Sequence, residues 1–143
     1  MKVSECMSRE VRMVTPQDSI RDAAVAMAEI DAGVLPVAND ERLVGVITDR
    51  DIAIRAVGNG MATETPVEDV MTHEVRYCFA DDDIREVLDN MADVQVRRLP
   101  VLDNDKRLQG IVSLSDMALM EKSEAGQALS DIARPSALHS QMV

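Results

Sequence analysis

Two short segments place a hydroxyl and a carboxylate three residues apart: Thr48-Asp49-Arg50-Asp51 and Ser113-Leu114-Ser115-Asp116. Each follows an apolar run of β type, Gly45-Val46-Ile47 or Gly110-Ile111-Val112, and so lies where a strand gives way to a helix. A hydroxyl at a strand's exit, with the backbone N–H groups of an opening helix behind it, suits a phosphate. A carboxylate one turn further on can accept from both hydroxyls of a ribose. Each such charge-assisted bond contributes about 1.5–3 kcal/mol when shielded from water. The same spacing is also that of a plain helix cap, in which side chain and backbone bond to each other. Spacing alone leaves both readings open.

Other chemistry is sparse. Cys6 and Cys78 are the only cysteines and lack Cys-x-x-Cys spacing, while His73 and His139 are too few and too far apart for a zinc site. No metal is implied. No hydroxyl or thiol is recognisably paired with a base, which disfavours an enzyme. The 15 Lys and Arg against 26 Asp and Glu give a net charge of −11, which repels nucleic acid and anionic membrane surfaces. A phosphorylated ligand must then be held by local donors, helix N-termini or a few arginines. Tyr77 and Phe79 are the only aromatics, so nothing offers a stacking platform for bases. No apolar run approaches the ~20 residues needed to span a bilayer, and Met1-Lys2-Val3-Ser4-Glu5 is no signal peptide; the expectation is a cytoplasmic protein.

The elements that position the two segments are written twice. A shift of 64 aligns residues 3–42 with 67–106, with identities at Val3/Val67, Met7/Met71, Asp18/Asp82, Ile20/Ile84, Arg21/Arg85 and Leu35-Pro36-Val37/Leu99-Pro100-Val101. One extra residue in the second copy makes the shift 65, pairing Gly45/Gly110 and Asp51/Asp116. A tandem duplication accounts for this. It also pairs Cys6 with Val70 and Cys78 with Val14, so both thiols read as core filler, and His73 pairs with Arg9 and reads as surface.

Each copy begins with a turn ending at Met7 or Met71 and a β-like run, Val11–Val14 or Val75–Phe79. Asp18-Ser19 and Asp81-Asp82-Asp83 then mark helix starts. Ile20, Ala23, Ala24, Met27 and Ile30 fall at helical spacing, as do Ile84, Val87, Leu88, Met91 and Val94. A hairpin follows, Val34–Ala38 with Leu43–Thr48 and Leu99–Leu102 with Leu108–Ser113; Pro36 and Pro100 imply positions where no ladder donor is needed. A second helix starts near Asp49 and near Leu114. The expected fold is α/β (α+β): two β-α-β-β-α half-domains, residues 1–62 and 63–123, packed about a pseudo-twofold axis. A tail, 124–143, carries a short helix at Gln127–Ala133 that ends before Pro135.

The duplicated β-α-β-β-α plan, Leu-Pro-Val before the hairpin and Gly-h-h-(Thr/Ser)-x-x-Asp after it (h, hydrophobic) resemble cystathionine-β-synthase-type (CBS) domains over residues 1 to about 123. The resemblance implies a non-catalytic Bateman module that binds AMP, ADP, ATP or S-adenosylmethionine in clefts between paired repeats, with Thr48 and Asp51, and Ser113 and Asp116, on phosphate and ribose. NAD is a further possible ligand. Arg97-Arg98-Leu99-Pro100 resembles the His-Arg-Leu-Pro stretch by which the regulatory subunit of AMP-activated kinase places an arginine on phosphate, and Arg98 is the matching residue. Across the pseudo-twofold axis it is expected to reach the Thr48–Asp51 site. The first repeat has Gly33-Val34 there and cannot reciprocate. Arg50 and Arg55 are additional candidates.

The expected function is a metabolite or energy sensor acting on an effector protein that the sequence does not identify; the alternative is a dimerisation scaffold with degenerate, empty sites. A homodimer is implied by the resemblance. The second helices, Ile52–Val57 and Met117–Met120, agree in carrying more apolar side chains than one half-domain face requires.

Overall fold

The computed structural model describes residues 1–118, 120 and 122–134. His139 and Pro135 lie outside them. Among the described residues two compact units form, one from residues 12–75 with 106–108, the other from residues 1–11, 76–105, 109–118, 120 and 122–134. Each linear repeat thus lends its opening segment to the body of the other. We call them the repeat-one and repeat-two units.

In the repeat-one unit, Ser19 caps helix α1 (Ile20–Ile30) through a reciprocal pair: the Asp22 amide donates to Ser19 Oγ at 3.0 Å and the Ser19 amide to Asp22 Oδ2 at 3.2 Å. The helix ends on Asp31 in the left-handed conformation. Strands β1 (Val34–Asn39) and β2 (Arg42–Thr48) form an antiparallel hairpin whose two-residue turn, Asp40-Glu41, has positive φ at both positions, the geometry that matches strand twist. A wide-turned helix, Asp51–Ala56, then closes the repeat.

The repeat-two unit follows the same plan: β3 (Cys78–Phe79), α2 (Ile84–Val94) capped by Asp83, β4 (Arg98–Leu102), β5 (Leu108–Ser113) and α3 (Leu114–Ala118), with sheet order β3-β4-β5. A further helix, α4 (Lys122–Ala133), covers the Gln127–Ala133 segment and begins five residues earlier.

The first β-like run is shorter than its sequence suggests. Val14 alone bridges to Val37, in parallel, and Cys78–Phe79 is its two-residue counterpart on β4. Asp18 takes the Thr15 amide at 2.8 Å, and Asp82 takes the Phe79 amide at 2.8 Å, which fixes where each run ends. The residues without ladder partners are at the start of each run, where the chain passes from one unit to the other. Pro36 fits because that edge of β1 is used by Val14 alone, through the Pro36 carbonyl and the Ala38 amide.

Two apolar cores result, one around Leu35, Ile47, Val67 and Val70, the other around Ile84, Leu88, Met91 and Met117. The helices differ in the face they bury. α2 buries Leu88, whereas its counterpart on α1, Ala24, is exposed, as is Ile30; Ala26 is buried in their stead. The difference comes from α4, whose Ala128 and Ile132 enter the repeat-two core beside α2 and α3. Met117, grouped above with the apolar surplus of the second helices, is fully buried within that core, while Met120 is exposed. Burying a side chain such as Ile132 contributes about 1.5–3 kcal/mol.

Candidate functional site

Both hydroxyl–carboxylate segments fold identically. The Asp51 amide donates to Thr48 Oγ1 at 3.0 Å and the Thr48 amide to Asp51 Oδ2 at 3.1 Å. In the second copy the Asp116 amide donates to Ser113 Oγ at 3.1 Å and the Ser113 amide to Asp116 Oδ2 at 3.0 Å. Each pair is a reciprocal cap that locks both side chains at the strand's exit. The hydroxyl spends an acceptor lone pair in the cap and keeps its proton for a ligand oxygen.

A glycine in each β-strand makes room for this. A Cβ on Gly45 would stand 2.8 Å from both the Thr72 carbonyl oxygen and Met71 Sδ, and one on Gly110 only 2.5 Å from the Ser8 carbonyl oxygen. Thr72 lies there because it pairs with Val46, the two exchanging amide-to-carbonyl bonds, and Ser8 pairs with Ile111 in the same way. The Gly of the repeated motif is therefore set by a backbone laid across the strand two residues before the site.

The helix amides expected to cradle phosphate are occupied. In repeat one, Asp49 N–H donates to the Gly33 carbonyl at 2.9 Å, Arg50 N–H to Asp49 Oδ1 at 2.8 Å, and Asp51 N–H to Thr48. In repeat two, Leu114 N–H donates to the Arg97 carbonyl at 2.8 Å. In repeat one this leaves an anion the hydroxyl proton of Thr48 and the Arg55 guanidinium beside Asp51.

The two carboxylates differ in their surroundings. Asp51 is buried, 9% exposed; Thr72 Oγ1 donates to its Oδ2 at 3.5 Å, and Arg55 Nε stands 3.8 Å from its Oδ1. Arg55 is held by its Nη1 on the carbonyls of Val70, at 3.2 Å, and Met71, at 3.3 Å. Its counterpart in repeat two is Met120. Asp116 is less buried and neighbours Cys6, whose thiol is raised above its ordinary value by burial first and by the Asp116 charge second. Burial likewise pushes the Cys78 thiol up to about 12.

Among the sequence candidates, Thr48 meets Asp51 and Ser113 meets Asp116. Arg98 is exposed at the head of β4, in the repeat-two unit with Ser113 and Asp116; Thr48 and Asp51 belong to the other unit. Arg50 is exposed and follows Asp49. Arg55 proves more closely tied to Asp51 than its sequence standing suggested, and Thr72 was not a candidate at all. The i,i+4 spacing of Asp51 and Arg55 was the signal for the first; no local spacing links Thr72 to Asp51, 21 residues away. Among the described residues no group of three or more His, Cys, Asp and Glu is placed to hold a metal.

A duplicated α+β module with a capped hydroxyl–carboxylate pair at the same strand exit in each copy is the class that fold and site define. The CBS-domain family model matches residues 3–58 and 67–120, and the chain belongs to that family. It is 38% identical over 135 residues to the protein YlbB of Bacillus subtilis, covering 92% of this chain and 90% of that one. The crystal structure of Hypoxic Response Protein I with two coordinated zinc ions superposes with TM-score 0.76 at 34% identity, over 85% of this chain and 99% of that one. The CBS domain pair of MJ0100, solved in complex with 5′-methylthioadenosine and S-adenosyl-L-methionine, gives TM-score 0.72 at 26% identity, over 87% and 98%.

Proposed function

We propose that this chain is a non-catalytic regulatory module that binds an adenosine-containing ligand, AMP, ADP, ATP or S-adenosylmethionine, and passes the occupied state to another protein. The observation that carries it is the hydroxyl–carboxylate pair built twice with the same geometry, at 3.0–3.1 Å in every cap bond. In this reading Asp51 and Asp116 accept from the ribose hydroxyls, Thr48 and Ser113 donate to phosphate or sugar oxygen, and Arg98, Arg50 and Arg55 supply positive charge to an anionic ligand. The adenosyl ligands of the MJ0100 domain pair support it. Two copies of the chain associate as a homodimer, and the ligand favours one arrangement of the repeats by binding it more tightly.

A scaffold with no ligand is favoured by one observation, that the caps already satisfy the helix amides. Thermal unfolding of the full chain across AMP, ADP, ATP, NAD and S-adenosylmethionine separates the two. A ligand at 100 times its dissociation constant adds about 2.7 kcal/mol, a rise on the order of 5–10 °C. No rise with any of them leaves the scaffold reading standing.

A further inference from the structure

Two short routes join the hydroxyl–carboxylate pair of repeat two to α4. The first runs along α3. Ser113 and Asp116 fix its opening turn through their reciprocal cap, and Met117, the next residue, is fully buried in the core that Ala128 and Ile132 of α4 enter. The second runs through the segment that follows α2. Leu114 N–H, between the hydroxyl and the carboxylate, donates to the Arg97 carbonyl at 2.8 Å. Two residues before Arg97, at the end of α2, Gln95 Nε2 donates to the carbonyls of Asp131, at 3.0 Å, and Arg134, at 3.2 Å, at the end of α4. Gln95 thus takes up carbonyls that a helix C-terminus leaves without helical partners. A shift of the Ser113–Asp116 turn therefore moves the seat of α4 and its clamp together.

The helix itself is built to release. Among its described side chains Ala128 and Ile132 enter the core, while Gln127, Leu129, Ser130 and Ala133 are exposed. Gly126 stands inside α4, where glycine weakens a helix about fourfold relative to alanine. Neither space nor backbone calls for it: a Cβ there would meet nothing within 4 Å, and its φ is not in the left-handed region. We infer that α4 is a ligand-controlled latch. Occupancy of the Ser113–Asp116 site holds α3 in place and α4 down upon it; an empty site lets α4 lift away and bares the surface beneath to an effector protein. Ligand binding and helix docking then strengthen each other by the same factor. The inference rests on the adenosyl-ligand reading above and assigns its output.

Hydrogen exchange of the full chain, read by mass spectrometry on α4 and α2 separately, tests it with AMP, ADP, ATP and S-adenosyl-L-methionine as probes and calorimetry to follow their binding. A bound probe should slow exchange in α4 at least about fivefold, and Asp116→Asn should remove both the slowing and that binding. A probe whose binding depends on Asp116 yet leaves α4 exchange unchanged overturns the latch and leaves the adenosyl reading standing. No Asp116-dependent binding by any probe overturns both. Without ligand, Ser113→Ala should quicken α4 exchange several-fold while α2 stays protected, Ser113→Thr should restore the parent rate, and Thr48→Val should not move it. Gly126→Ala should slow α4 exchange about fourfold, and an unchanged rate removes the weak point on which release depends. Undocking α4 by Ala128→Glu with Ile132→Glu should weaken the probe at least about fivefold. Unchanged affinity in that variant, with α2 still protected, contradicts the latch.

Discussion

Arg55 Nε stands 3.8 Å from Asp51 Oδ1, and repeat two has Met120 where repeat one has this arginine. Arg55 is about half exposed, so the pair adds little stability, about 0–1 kcal/mol. Its consequence falls on ligand charge. Arg55→Met should weaken ATP or ADP several-fold while changing uncharged adenosine by less than twofold, measured by calorimetric titration. Equal losses for both ligands would remove Arg55 from the phosphate side of the site.

The caps make a stability expectation that is independent of any ligand. Thr48→Val or Ser113→Ala deletes the side-chain acceptor of one helix start and should cost about 0.5–2 kcal/mol in urea unfolding. Asp51→Asn keeps an oxygen for the Thr48 amide and should cost less than Asp51→Ala. If Thr48→Val, Ser113→Ala and Asp51→Ala leave the urea midpoint unchanged, the reciprocal bonds do not hold in solution.

Gly45 and Gly110 carry the crossing of one backbone over another. Gly110→Ala drives a Cβ onto the Ser8 carbonyl, and Gly45→Ala onto the Thr72 carbonyl and Met71. Each should destabilise by about 1–3 kcal/mol, Gly110→Ala by more, because its backbone neighbour stands at 2.5 Å where that of Gly45 stands at 2.8 Å. Unaltered thermal midpoints would show that Met7-Ser8 and Met71-Thr72 are not laid against β5 and β2.

Much of this was legible from the sequence. The shifts of 64 and 65 located both helices, both hairpins and both hydroxyl–carboxylate pairs, and the caps Ser19 and Asp83 stand where acids and serine mark the helix starts. The exchange of opening segments was not legible, because a tandem repeat reads the same whether Met7 completes its own copy or the other. Nor was the coverage by α4: residues past 123 lie outside the repeat, and the four-residue spacing of Ala128 and Ile132 is too short a pattern to name its partner. The β-runs at Val11–Val14 and Val75–Phe79 were overread at their starts, where the chain passes between the two units and apolar composition alone does not show that a ladder partner is missing.

The thiols set an alkaline limit. Cys78 is raised to about 12 from an ordinary 9.0 by burial, so the unfolded chain releases its proton first. Stability from this group is complete below pH 9 and falls as pH rises toward 12. Cys78→Val, matching Val14 of the other repeat, should remove that part of the decline in a pH series of urea midpoints. An undiminished decline would place its cause elsewhere.

Calorimetric titration of the full chain with the ligand that gives the largest thermal shift, repeated with Asp51→Asn, Asp116→Asn and both together, bears most directly on the role of the two carboxylates. Each single substitution should weaken its own site about 10- to 100-fold, matching lost charge-assisted bonds of about 1.5–3 kcal/mol, and the double variant should bind too weakly to saturate. Unchanged affinity and stoichiometry in a folded double variant would contradict it.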